Sequence, residues 1–259
     1  MDILEVNNLV KTFGGLTAVD ELSFSLQENE IYGLIGPNGA GKTTVFNIIT
    51  RFYEPDRGEV IYKTEDEAVN LLDLKAHQVI ERGIARTFQN LELFDNLTVL
   101  ENLLVGQHVN LGTGILQEIL RLPGFFRKED KAEKKALEML DFFDLLSHRA
   151  KRAGSLPYGD QKLLELARIL MSDPQIILLD EPAAGLNTSE TGKLAERLRQ
   201  IREEFSLTLF VVEHDMDLVM EICERICAIN FGRAIEIGTP EEIQSSRSVQ
   251  EAYLGKEEE

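Results

Sequence analysis

The sequence predicts an α/β fold with a mainly parallel sheet core, preceded by an antiparallel β region and interrupted by a helical insertion. Three observations predict it. The stretch Gly36-Pro37-Asn38-Gly39-Ala40-Gly41-Lys42-Thr43 lies between the apolar Ile31-Tyr32-Gly33-Leu34-Ile35 and the helix-patterned Thr44-Val45-Phe46-Asn47-Ile48-Ile49, the strand, loop and helix context of a phosphate-binding loop. A second apolar run, Ile176-Ile177-Leu178-Leu179, suits a parallel strand covered on both faces. Beyond it, helix and strand patterns alternate in the manner of α/β units.

Residues 3 to 10 and 21 to 28 alternate apolar and polar side chains around the turn Phe13-Gly14-Gly15, which predicts an antiparallel opening. The loop-and-helix unit at 31 to 53 is followed by the turn Glu54-Pro55-Asp56-Arg57-Gly58 and a strand from Glu59 to Tyr62. A helical pattern is read over 65 to 82, and a short strand over Ala85 to Phe88. From Leu97 to Asn110 apolar residues recur at helical spacing until the breakers Gly112 and Gly114. Lys128 to Ser147 is charged in its first half and apolar in its second, so residues 96 to 157 read as a helical subdomain.

After Gly159 a helix pattern runs to Met171 and stops at Asp173-Pro174. The second apolar strand, a helix from Thr188 to Phe205, a strand from Leu207 to Val212, a helix through Cys223 and two short strands around Arg233 complete the core. Thr239-Pro240-Glu241-Glu242 reads as a capped helix start. The expected organisation is one domain over 1–259. It comprises 1–95 with the antiparallel strands and the loop, the helical 96–157, 158–238 with the rest of the core, and 239–259 with C-terminal helices and an acidic tail.

A chain of 259 residues with 43% apolar content can bury such a core. The net charge of -18 argues against nucleic acid, whose binding rests on clustered Lys and Arg, and against direct docking on a negative lipid surface. No apolar run approaches the roughly 20 residues of a membrane-spanning helix, and the first residues lack the pattern of a signal peptide, so a cytoplasmic location is expected. Cys223 and Cys227, with no second Cys or His pair, read as buried reduced thiols.

The chemistry begins at the glycine-rich loop. Its glycines let successive backbone N–H groups converge, and the following helix adds the partial positive charge of its N-terminus. Lys42 can then reach the β and γ phosphates of a nucleotide, and the Thr43 hydroxyl can coordinate Mg²⁺. Asp180 and Glu181 end an apolar strand, the edge at which α/β sheets present ligand-binding groups. Asp180 reads as a Mg²⁺ holder, and Glu181 as the base that polarises the water attacking the γ phosphate. His214 stands at the corresponding end of the next strand, where its ring can reach the γ phosphate or steady the water; a satisfied or exposed histidine explains the same letter. Gln89 carries no signal alone.

Taken together, these residues and their order resemble the ATP-binding-cassette (ABC) family along essentially the whole chain. That resemblance implies a P-loop NTPase cassette with a RecA-like core, and ATP and Mg²⁺ as its ligands. Gly36, Pro37, Asn38, Gly39, Ala40, Gly41, Lys42, Thr43 and Thr44 would cradle the phosphates, with Phe13 against adenine. Gln89 would sense γ phosphate and Mg²⁺ together with Thr43 and Asp180, and His214 would be the switch histidine. Leu156-Pro157-Tyr158-Gly159-Asp160 aligns with the family signature, in which Gly159 faces the nucleotide of a partner cassette, and Ala184-Gly185-Leu186-Asn187 with the loop after the catalytic glutamate.

Within the family, Ala85-Arg86-Thr87-Phe88-Gln89-Asn90, Tyr158-Gly159-Asp160-Gln161, Asp180 to Asn187 and the ending Ala252-Tyr253-Leu254-Gly255 are similar to ATP-binding subunits of branched-chain amino-acid importers. The partners so implied are two membrane permease subunits, a sister ATPase in a heterodimer or homodimer, and indirectly an external solute-binding protein. The chain would then sit peripherally on the inner face of the cell membrane. Leu91, Leu93, Phe94 and Leu97 are expected to grip a permease helix, while Phe125 and Phe126 touch a permease or pack under a neighbouring helix. Two alternatives remain open: an importer of another small polar solute such as an amide or urea, and a non-transport cassette acting as a nucleotide-gated clamp. Pro157 departs from the signature serine, offering neither hydroxyl nor N–H, which raises unequal ATP sites. Asn187 replaces the aspartate often found in its loop.

Overall fold

The computed structural model describes residues 1–87, 91–107 and 123–254, with side chains of 123–129 and 254 left out. The expectations that fall on Phe88, Gln89, Asn90, Gly112, Gly114, Phe125, Phe126, Gly255 and the acidic residues 256–259 therefore lie outside the described residues. The chain divides into two compact units: Met1–Arg86 with Gln175–Glu259, and Thr87–Pro174.

In the first unit, β1 (Asp2–Phe13), β2 (Leu16–Gln27), β4 (Arg57–Lys63) and β5 (Ala68–Asn70) form an antiparallel sheet in the order β2-β1-β4-β5. The second sheet holds β3 (Ile31–Ile35), β6 (Ile84–Arg86), β7 (Ile176–Asp180), β8 (Thr208–Val212), β9 (Arg225–Asn230) and β10 (Arg233–Gly238), in the order β10-β9-β3-β8-β7-β6. All its pairings are parallel except β9 with β10. Every residue of β3, β7 and β8 is buried, which explains why these strands read as continuous apolar runs rather than alternating ones.

Phe24, Tyr32, Phe46 and Phe210 knit the two sheets and α1 (Lys42–Ile49) together, with ring centroids 4.9 to 5.8 Å apart. Each buried aromatic of this kind stabilises the fold by roughly 1.5–3 kcal/mol. The Cys223 and Cys227 thiols are buried and free.

The helical reading of 65 to 82 is corrected. Only α2 (Ala76–Glu81) is α-helical there. Ala68, Val69 and Asn70 pair with Lys63, Tyr62 and Ile61, and Asn70 Oδ1 accepts from the amides of Leu72 and Val60 at 3.1 and 3.4 Å. Pairing with an available sheet edge outweighs a weak local helical preference.

The second unit contains α3 (Val99–Gly106), α4 (Pro123–Phe142) and α5 (Tyr158–Leu170). Thr98 and Glu101 form a capping box at the start of α3, reciprocally satisfying two otherwise orphaned amides. Ala132, Ala136, Met139 and Leu140 make the buried stripe of α4, continued by Phe143, at helical spacing. Fully buried Asn102 ties the preceding segment down: its Nδ2 donates to Phe94 and Thr98 carbonyls at 3.1 and 3.0 Å, and its Oδ1 accepts from the Phe94 amide at 2.9 Å. Phe94 itself is 49% exposed.

The first unit is completed by α6 (Thr188–Phe205), α7 (Met216–Ile222), α8 (Pro240–Ser245) and α9 (Arg247–Leu254). Thr239 caps α8 in a box with Glu242. No helix among the described residues is long and apolar enough to cross a membrane.

Candidate functional site

The site grows from the carboxyl ends of β3, β8 and β7, which are neighbours in the sheet. After β3 the chain turns sharply through the glycine-rich loop. A Cβ on Gly36 would collide with the Ile229 carbonyl, and one on Gly41, at φ 105°, with the Ala18 carbonyl; only glycine permits both approaches. The loop is locked by Ala40 N–H to the Pro37 carbonyl at 3.1 Å and by Gly232 N–H to the Ala40 carbonyl at 3.0 Å. The first bond of α1 runs from Val45 to Gly41, so the amides of Lys42, Thr43 and Thr44 precede the helical ladder, where an anion is favoured.

Lys42 is 7% exposed, and its Nζ donates to the carbonyls of Gly36 and Pro37 at 2.6 and 3.1 Å. Burial pushes its amine below the ordinary value, against the opposing pull of Glu181 and Asp180. Thr43, Asn38 and Gly39 are exposed, whereas Ala40 is buried. Sequence reasoning put Lys42 in reach of phosphate; here it is folded onto its own loop.

Asp180 ends β7 with its side chain 6% exposed, and its Oδ2 accepts from the Arg86 guanidinium at 2.7 Å. Arg86 also donates to Asn47 Oδ1 at 2.7 Å and Thr50 Oγ1 at 3.2 Å. Glu181 follows in the left-handed region, at φ 49°, a conformation costing about 1–2 kcal/mol in a non-glycine residue. Its amide donates to the Val212 carbonyl at 2.9 Å. The His214 ring, 59% exposed, has Nδ1 3.8 Å from Glu181 Oε1 and 3.8 Å from Glu213 Oε2. The structure thus brings Lys42, Asp180, Glu181 and His214 to one sheet edge.

Phe13 is 41% exposed and meets Tyr53 edge to face at 5.3 Å, with Lys11 Nζ 5.1 Å from its ring centre. Gln89 lies outside the described residues. Gly159 belongs to the second unit, on the first turn of α5, where Pro157 is the N-cap and makes no side-chain bond. The helix begins with Gln161 N–H to the Pro157 carbonyl at 3.0 Å. Asn187 proves to be a helix cap: its Oδ1 accepts from Ser189 and Glu190 amides at 3.0 and 3.1 Å. Sequence reasoning missed Arg86, Tyr53 and Glu213. A charged letter closing an apolar strand was the available signal for Arg86 and Glu213; nothing marked Tyr53.

The family model described as ABC transporter matches residues 19–184. The chain belongs to the ABC transporter ATPase family. A second family model, for branched-chain amino acid ATP-binding cassette transporters, matches residues 235–259 of the cassette. The cassette is 46% identical over 254 residues to the high-affinity branched-chain amino acid transport ATP-binding protein LivG of Salmonella typhimurium, covering 98% of each chain. It also resembles the ADP conformation of an ATP-binding cassette of an ABC transporter, at TM-score 0.84 and 30% identity, over 99% of this chain and 100% of that one. A dimeric cassette in a post-hydrolysis state bound to ADP and Pi matches at TM-score 0.74 and 26% identity, over 92% and 98%.

Proposed function

We propose that this cassette hydrolyses ATP on its own glycine-rich loop and couples that reaction to import of branched-chain amino acids through membrane permeases. The observation that carries the enzymatic half is the meeting of Lys42, Asp180, Glu181 and His214 at adjoining strand ends. The transport half is supported by the match of residues 235–259 and by the naming of the Salmonella relative.

The residues fit ATP with Mg²⁺. The loop admits no Cβ at Gly36 or Gly41, and a buried lysine satisfied by two carbonyls is a ready partner for phosphate oxygens. Thr43 and Asp180 are the oxygen donors that would hold Mg²⁺, joined by Gln89, and oxygen is what this hard cation requires. When bound, Mg²⁺ neutralises charge on the β and γ phosphates. Thr44 and the amides of 38 to 43 complete the cradle, and the exposed Phe13 ring offers a face to adenine. Glu181 takes the proton of the attacking water, and His214, within reach of Glu181, steadies that water or the γ phosphate.

A sister cassette, identical or not, supplies the signature segment over this ATP, while Gly159 serves the sister's nucleotide. Two permease subunits hold the pair at the cytoplasmic face, fed by an external solute-binding protein. Glu181→Gln tests the catalytic assignment: ATP binding is retained while hydrolysis at this site falls by about two orders of magnitude or more, and wild-type turnover refutes it. Copurified permeases reconstituted in vesicles test the cargo: ATP-driven uptake of labelled leucine supports the importer, whereas uptake of another solute, or soluble partners alone, replaces that reading.

A further inference from the structure

Glu213 precedes His214, is 1% exposed, and has Oε2 3.8 Å from the His214 ring Nδ1. Its carboxylate is divided between two loops. Oε1 accepts from the Ala183 amide at 2.8 Å, two residues beyond Glu181. Oε2 accepts from the amides of His214 and Asp215 at 2.9 and 3.3 Å. A buried carboxylate left without donors would be strongly unfavourable, and here three backbone amides supply them. The bond from Glu181 N–H to the Val212 carbonyl at 2.9 Å joins the same two strand ends one layer deeper. We propose that Glu213 is a positioning residue that binds the loop after β7 to the loop after β8, so that Glu181 and His214 are held and moved as one unit.

The chemistry of the acceptor makes this specific. Both oxygens of a carboxylate accept hydrogen bonds, whereas a glutamine has one accepting oxygen and an NH₂ group that only donates. Glutamine at 213 can therefore satisfy Ala183 or the His214 and Asp215 pair, while setting a donor against the other. The side-chain shape is kept and one tether is lost. With the loops decoupled, the contact between Glu181 and His214 at 3.8 Å is no longer imposed by the backbone, and misplacement of a catalytic group by about 1 Å can cost roughly 100-fold in rate.

The inference rests on the assignment of Glu181 and His214 to hydrolysis, so the experiment carries both. The transporter complex is purified through a tag on this full chain, and single-turnover hydrolysis of labelled ATP is compared for wild type, E213Q, H214A, E213Q/H214A and E181Q, the last setting the turnover of the other site. The expected result is a fall of about 10- to 100-fold in the rate for E213Q, with ATP affinity within about twofold, and at most a twofold further effect of E213Q once His214 is absent. An unchanged rate in E213Q, or an equal loss in the H214A background, overturns the positioning role. Wild-type turnover in E181Q overturns the underlying reading instead. Hydrogen exchange of the unmutated complex gives a measurement that no folding defect can blur: the Ala183, His214 and Asp215 amides should open together, and independent opening of the two loops refutes the tether.

Discussion

Replacing Arg86 by methionine is expected to destabilise the first unit severely, because the guanidinium is the counter-ion of a buried carboxylate. Arg86 and Asp180 side chains are 8% and 6% exposed, and their charged atoms lie 2.7 Å apart. Methionine retains much of the aliphatic volume beside Phe46, over whose ring the guanidinium sits at 5.5 Å, so the change removes charge and donors more than packing. Breaking a buried pair from one side costs about 3–5 kcal/mol, since the remaining charge loses its compensation. Asn47 Oδ1 loses a donor as well, whereas the Thr50 hydroxyl keeps its own bond to the Phe46 carbonyl at 2.7 Å.

For a chain of this length, about 3 kcal/mol corresponds to a fall in melting temperature of roughly 6 to 12 °C. The assay is thermal unfolding of the full chain without nucleotide, followed by circular dichroism, for R86M, D180N and R86M/D180N. The double variant should recover part of the loss, because a neutral amide at 180 leaves no unpaired charge. A melting temperature for R86M within about 2 °C of wild type would refute the reasoning, as would full additivity of the two substitutions.

Further outcomes follow from the same structure. Burial holds the Glu165 carboxyl above its ordinary value of 4.5, outweighing the opposing effects of Lys162 and the Glu92 amide; its cost to stability is absent below 4.5 and grows as pH rises through the folded value. Glu165→Gln should therefore raise the urea midpoint at pH 7 and lose that advantage below 4.5, and a difference independent of pH would contradict it. Burial also pushes the Cys227 thiol up to about 12 and the Cys223 thiol upward too, so neither should react with iodoacetamide in the folded chain at pH 8 within hours, while both react in urea. Pro157→Ser restores a hydroxyl at the N-cap of α5 and should tighten ATP-dependent pairing with the sister cassette by about 1.5–3 kcal/mol; unchanged turnover and pairing would show the helix N-terminus to suffice alone.

What could be read from the letters was what local chemistry dictates. The helix from Thr188 to Phe205 was legible to the residue, and the structure shows what fixes its ends: Asn187 and Glu190 cap its start and Ser206 leaves it in the left-handed region. The loop at 36 to 43 and the carboxylates after β7 announce themselves by spacing and context. Long-range pairing hid the rest. The strand at Ala68–Asn70 exists because Ile61, Tyr62 and Lys63 offer it an edge, and Arg86 reaches Asp180 across 94 positions of sequence. Glu213 finds Ala183 across 30. Periodicity carries no information about such partners, and Arg86 and Glu213 read equally well as solvated charges.

The two ends of the parallel strands divide their labour accordingly. At the amino end, Glu224 accepts from the Ile31 amide at 3.0 Å, Thr208 Oγ1 accepts from Asn29 N–H at 3.0 Å and donates to the Gln27 carbonyl at 3.2 Å, and Arg202 bonds Glu224 at 3.1 Å. Charge there meets opposite charge, and the result is closure of the fold. At the carboxyl end Arg86 and Glu213 perform the same service for Asp180 and for the loops around Glu181 and His214, while buried Lys42 bonds two neutral carbonyls. Carbonyl dipoles compensate a buried ammonium less fully than an anion does, which is why burial lowers its affinity for the proton. On the proposed function, phosphate arriving at this loop would exchange neutral hydrogen bonds of Lys42 for charge-assisted ones. In the proposed reaction, recognition of the nucleotide would therefore rest on a buried ammonium bonded to the neutral carbonyls of Gly36 and Pro37, with the Glu181 carboxylate near enough to oppose the effect of burial on it.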